Sequence, residues 1–137
     1  QAAPQAQPGQ AERRTVDTSP PAEFPIHGHW RGMISQPNAA NHSRYELIVS
    51  IFIAPEERIA GEVDYPALNC GGVWVGEPGS ASRDGPWRVE EIIQRNPSAC
   101  VPDYLDLRLR ADGGINVDIR ANPTSEPFAS GAIYRVR

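Results

Sequence analysis

From Ile26 onward the chain alternates apolar and polar residues with a period of two, and no window carries a helical period. In HGHWRGMIS (27–35), Gly28, Trp30, Gly32 and Ile34 share one face, and His27, His29, Arg31 and Met33 the other. SRYELIVSIFI (43–53) puts Tyr45, Leu47, Val49, Ile51 and Ile53 on one side. After the loop APEER, IAGEVDY (59–65) continues with Ile59, Gly61, Val63 and Tyr65. GVWVG (72–76), PWRVEEIIQ (86–94), DYLDLRLR (103–110), INVDIRA (115–121) and FASGAIYRVR (128–137) follow, separated by Gly, Pro, Asp and Ser. The expected count is seven or eight strands.

Consecutive strands with short connections, each apolar on one side only, hide their edges by pairing as a sandwich or closing into a barrel. Every connection here is short enough for a hairpin, and no long crossover is needed. The expected fold is all-β, a single antiparallel up-and-down barrel of about eight strands. One hairpin is expected in detail. With DGG (112–114) as a three-residue loop, Ala111 faces Ile115, Leu109 meets Val117 and Leu107 meets Ile119. Arg108 then faces Asp118 and Asp106 faces Arg120, so these charges read as cross-strand partners rather than a binding patch. The inner set, Tyr45, Leu47, Val49, Ile51, Val63, Leu107, Leu109, Val117 and Ile119, is bulky and points to a filled interior with binding on the outside.

Residues 1–25 break the pattern. They hold five prolines and almost no large apolar group, too little to offset the entropy of ordering. They read as an extended Pro/Gln-rich arm or linker, with the barrel domain at 26–137, and an arm of this kind suits assembly along a neighbouring chain. The opening QAAPQAQPGQAERR resembles what remains after a signal peptide is removed, so the expected location is secreted or periplasmic.

Composition narrows the chemistry. No apolar run approaches the ~20 residues of a transmembrane helix. A net charge of −4 offers no broad positive field for nucleic acid. All thirteen basic residues are arginine, which removes lysine nucleophiles and Schiff bases. Cys70 and Cys100 lack the close Cys or His neighbours of a zinc site. A disulfide is preferred over two buried thiols because of the processed amino terminus, and closing that loop would stabilise the fold by roughly 3–4 kcal/mol. Pro66 cannot donate to a sheet ladder, so the strand before it ends near Tyr65, and Cys70 with Gly71 and Gly72 turns the chain into the next.

Catalytic arrangements are not evident: there is no Gly-x-Ser-x-Gly, no paired acids for glycoside hydrolysis, and no cofactor motif. His27 and His29 share a face, but His42 falls roughly 23 Å from His29, so no metal site is expected. Glu91 stands out. Strict alternation sends it inward with Trp87, Val89 and Ile93, where a carboxylate must be paired or protonated; a bulge at Glu90–Glu91 would turn both outward, and is slightly preferred. Trp74 and Trp87 flank the polar loop EPGSASRDG and are candidates for a mouth or an interface.

Two resemblances follow from these residues. Gly28-His29-Trp30 at the start of the first strand, with an arginine near the end of the last, resembles the Gly-x-Trp signature of lipocalins and related calycin barrels. That likeness implies that Trp30 closes the barrel floor with Arg135 or Arg137 stacked on it; the chain is shorter than most lipocalins and lacks their carboxy-terminal helix. Tyr65, Pro66, Leu68, Cys70, Gly71, Gly72, Glu91, Ile93 and Cys100 together resemble the YPxLxCGG…ExI…C pattern of a small secreted bacterial β-barrel domain without assigned activity, over roughly residues 28–136.

The expected function is a non-enzymatic binding module for a protein partner or small ligand. Trp74, Trp87, Glu91 and Arg135 are the candidate contacts, and Trp30, Cys70 and Cys100 the structural residues. The alternatives are an accessory subunit of an extracytoplasmic assembly held by the arm, or an inhibitor of a secreted hydrolase.

Overall fold

The period-two pattern becomes eight strands in the computed structural model, which describes residues 24–40 and 43–137. They are β1 (Gly28–Ser35), β2 (Arg44–Ala54), β3 (Arg58–Tyr65), β4 (Cys70–Val75), β5 (Trp87–Arg95), β6 (Tyr104–Leu109), β7 (Ile115–Arg120) and β8 (Pro127–Arg135). Each pairs antiparallel with its successor, and β8 returns to β1, closing an up-and-down barrel with no free edge. Gly32 lies at that seam. A Cβ there would run into the backbone of β8 at Ala132, so only glycine allows β1 and β8 to approach.

The two ends of the barrel differ. Trp30, Phe24, Ile26, Trp87, Ile115 and Ile133 are buried toward the end where β1 begins and β8 finishes. Phe24 is only 2 % exposed and meets Trp87 edge to face, with centroids 6.2 Å apart, so the residues just before β1 belong to the floor. Arg135 lies over the Trp30 ring at 4.4 Å and donates from Nη1 and Nη2 to the carbonyls of His27 and Pro25, each at 2.6 Å. Gly28 has φ +134°, and a Cβ on it would sit 2.6 Å from the Arg135 guanidinium. The Gly-x-Trp spacing thus clears space for the arginine that the resemblance implied.

Three expectations about register and facing are corrected. The β6–β7 hairpin pairs Leu109 with Ile115 and Leu107 with Val117, two residues from the expected register. Its loop is Ala111–Gly113, closed by Gly113 N–H to Arg110 O and Arg110 N–H to Gly114 O, with Gly113 at φ +90°. Either glycine of DGG suits the left-handed position. Taking Gly113 lets Asp112 accept from the Gly114 amide at 3.0 Å and pair with Arg110, which holds its carboxyl down at about 2. A two-residue shift keeps the inner face, and the expected ion pairs survive as diagonals: Asp106 accepts from Arg120 at 2.7 Å, and Arg108 reaches Asp118 at 3.7 Å. Leu109 and Ile53, expected inside, are 44 % and 40 % exposed because their strand ends run past the floor. The third correction concerns Glu91. β5 alternates without interruption there, and Glu91 is buried; the irregularity falls at Gln94, between the pairs Gly71–Arg95 and Gly72–Ile93.

Among the described residues no helix is long and apolar enough to cross a membrane. Of the expected arm, 1–25, residues 1–23 lie outside the described residues, as does His42, while Phe24 and Pro25 are at the floor.

Candidate functional site

The opposite end of the barrel, where β1, β3, β5 and β7 finish, is its mouth, and the strand geometry decides which side chains gather there. Tyr45 enters near the start of β2, and Tyr65 closes β3. Pro66 then forces the chain out of the sheet through a single 3₁₀ turn, Pro66–Leu68, and Asn69 at φ 55° redirects it into β4. The turn places Leu68 at the rim. Cys70 bridges to Cys100 in the β5–β6 connection, with Cα atoms 6.3 Å apart, and no described cysteine is free. Asn96 Nδ2 donates to Asn69 O at 2.8 Å, and Arg95 donates to Cys70 O at 3.0 Å while pairing with Asp64. These contacts fix the two corners of the mouth to one another.

Inside this rim is a cavity of about 380 Å³. Leu68, Val101, Ile119 and Phe128 supply apolar walls, and Tyr45, Tyr65, Glu91 and Asp103 the polar groups. The bulky inner residues therefore fill the floor and waist, as expected, but leave the mouth open.

Glu91 is 2 % exposed. It sits across from Trp74 in the β4–β5 pair, and its Oε2 accepts from Tyr65 Oη at 2.5 Å and Trp74 Nε1 at 3.0 Å. Its second oxygen, Oε1, takes no hydrogen bond from the described residues. Burial raises the Glu91 pKa, and the two donated hydrogen bonds oppose that rise by favouring the charged form. The backbone N–H of Glu91 donates to Asp103 O at 2.8 Å, which brings a second carboxyl group to the same wall. Burial, with the nearby Glu91 charge, pushes Asp103 up to about 7. Tyr45 is pushed up to about 12 by burial and then by Asp103 and Glu91, while burial and Glu91 raise Tyr65 well above its ordinary value. Both phenols are therefore neutral donors at physiological pH. The two rings meet edge to face with centroids 5.8 Å apart.

The four residues singled out in the sequence separate into two groups. Trp74 and Glu91 are in direct contact, Glu91 lining the mouth cavity and Trp74 lying behind it in the core. Trp87 and Arg135 are at the floor: Trp87 Nε1 donates to Arg83 O at 2.9 Å, and Arg135 caps Trp30. Tyr45, Tyr65 and Asp103 were not singled out as site residues. The tyrosines were legible as inward-facing, and strand direction would have placed both at one end; Asp103, first residue of DYLDLRLR, shares the parity of Leu105 and Leu107, and that signal was passed over. His29 bonds Ser50 Oγ at 2.7 Å on the outer face, and no group of three potential metal ligands occurs among the described residues. Of the residues of the second resemblance, Tyr65, Leu68, Glu91 and Cys100 line this cavity, with Tyr65 on Glu91 and Cys70 bridged to Cys100.

Compared with protein-family models, curated proteins and solved structures, the chain matches none.

Proposed function

We propose that the chain is a non-enzymatic binding module of a secreted or periplasmic protein, and that it holds a small, mainly apolar molecule in the barrel mouth. The observation that carries this reading is the cavity of about 380 Å³, within the size range of small-molecule sites, with a buried carboxyl group whose second oxygen is unclaimed by the described residues. Aromatic and aliphatic walls supply affinity, and a few polar groups set orientation. The disulfide at the rim suits an oxidising compartment. A binding role also fits the chemistry of the lining, where Cys100 is bridged and Glu91 is held by two neutral donors rather than placed beside a nucleophile.

Titration with the neutral fluorophore Nile red tests the reading. Emission should rise and saturate at one probe per chain, and Ala121→Trp, which puts an indole at the exposed edge of the cavity, should weaken binding by about tenfold or more. Absence of saturable binding, or an unchanged affinity in the folded variant, overturns it. Native mass spectrometry of material from the natural source would then identify the occupant.

A further inference from the structure

Charge at the mouth is one-sided. Glu91 and Asp103 both line the cavity, and among the described residues no arginine or histidine does. Arg95 is committed to Asp64 and the Cys70 carbonyl, Arg120 to Asp106 and the Ser125 carbonyl, and Arg44, beside Tyr45, is on the exposed outer face of β2. Among the described residues Glu91 has only neutral donors, Tyr65 and Trp74, and both serve Oε2. An acid this deeply buried normally has an ionic partner or takes up a proton.

Resting on the reading of the mouth as a small-ligand site, we infer that the cavity takes a compact organic cation, a protonated amine carried on a small apolar or aromatic frame. The ammonium N–H groups donate to the unclaimed Oε1 of Glu91 and to Asp103, supplying a counter-charge that the described lining residues do not. The tyrosine pair at 5.8 Å and Phe128 give the cation and its frame aromatic faces. Competing head groups fare worse for stated reasons. An alcohol makes one hydrogen bond without relieving the charge, and a carboxylate adds a third acid to a site that already resists ionising two.

The proposal has a pH signature. The titratable groups facing the cavity are Glu91 on β5, Asp103 before β6, Tyr45 on β2 and Tyr65 on β3; the described lining residues from β7, β8 and the end of β1 are uncharged. Below about pH 7 Asp103 holds a proton, so amine binding must expel it. Affinity for an amine therefore rises between about pH 5 and about pH 8 and is accompanied by proton release.

The test is displacement of Nile red by three ligands of similar shape: phenethylamine, 2-phenylethanol and 3-phenylpropanoate. At about pH 8 the amine should bind about tenfold or more tightly than either of the others, and this preference should shrink at about pH 5. Glu91→Gln and Asp103→Asn should each reduce the preference by about tenfold. If Glu91→Gln fails to fold, Asp103→Asn, which lies at the half-buried rim, carries the test. Equal binding of alcohol and amine, tighter binding of the propanoate, an unaltered preference in folded Asp103→Asn, or failure of all three to displace bound Nile red overturns the amine assignment while the cavity reading stands. Failure of Nile red itself to bind overturns the cavity reading on which the assignment rests.

Discussion

Asp103 and Asp106 are three residues apart, yet their surroundings pull them in opposite directions. Asp106 is clasped by Arg88 through Nε and Nη2, at 2.6 and 2.9 Å, and by Arg120 Nε at 2.7 Å. Those partners, Arg88 foremost, hold its carboxyl below the ordinary range. Asp103 faces the cavity and Glu91 instead, and is pushed up to about 7. In the unfolded chain both return to ordinary values near 4. Between about pH 4 and pH 7 the folded state thus binds more protons at Asp103 than the unfolded state does, so this group's contribution to stability falls as pH rises through that window. Asp106 acts with the opposite sign: its contribution is present above about pH 4 and is lost as pH falls below it. Because Asp103 is partly in water, the change is of the order of 1 kcal/mol or less, a few degrees in melting temperature. Thermal melts followed by circular dichroism at constant ionic strength should show Tm declining from about pH 5 to about pH 8, and Asp103→Asn should flatten that decline. A profile that rises over this range, or one the substitution leaves alone, would show that Asp103 is not in the environment described.

The closure of β1 onto β8 is secured by a ladder of six pairs and by what sits at its lower end. Arg135 on β8 stacks on Trp30 of β1 and ties two carbonyls of the preceding segment, so one side chain joins both ends of the described chain. Trp30 in turn donates from Nε1 to Ile26 O at 2.9 Å, leaving its buried N–H satisfied. Arg135→Ala removes a cation–π contact and two charge-assisted hydrogen bonds. It should lower unfolding free energy by roughly 2 kcal/mol, read as a shift in urea midpoint with an unchanged slope. Arg135→Lys should recover little of this, because a point charge cannot stack on the indole and bridge two carbonyls together. Full recovery by lysine would show that charge alone, rather than the planar fork, holds the floor. The same element illustrates how legible the fold was: Gly28 and Trp30 marked the floor in the sequence, and Arg135 was one of two arginines the likeness allowed. Phe24 escaped notice because it stands in a proline-rich segment with no strand pattern around it.

As a whole the barrel is asymmetric, packed at the floor and open at the mouth, and the disulfide is at the open end. That placement makes sense physically: the floor has Trp30, Trp87, Phe24 and Ile26 to hold it, while the mouth gives up packing to the cavity and relies on a covalent link between β4 and the β5–β6 connection. The bridge closes a segment of sequence separation 30. Replacing both cysteines by serine should therefore destabilise the barrel by roughly 3–4 kcal/mol. Hydrogen exchange should rise first around residues 96–103, where Asp103 is carried, with the floor protected. Uniform loss of protection across all strands would mean that the molecule opens as one unit and the mouth has no separate weakness.

Alternation was enough to specify seven or eight strands and most of their inward faces, because side-chain direction in a strand is a local property with a period of two, and the short connections implied the antiparallel order. Strict parity pointed Glu91 inward too, but the slightly preferred reading was a bulge that turned it outward, and parity alone had no means to choose. What parity lacks is depth along the barrel and the identity of neighbours across it. The convergence of Tyr65, Trp74, Glu91 and Asp103 depends on strand direction, on the stagger of each pair and on an irregularity at Gln94 rather than at Glu90–Glu91. The DGG turn makes the same point: two glycines satisfied the local rule equally, and the contacts of Asp112 with Arg110 and the Gly114 amide accompany the one used. Local periodicity can say which side of a wall a residue faces; only closure of the wall brings distant residues to one opening.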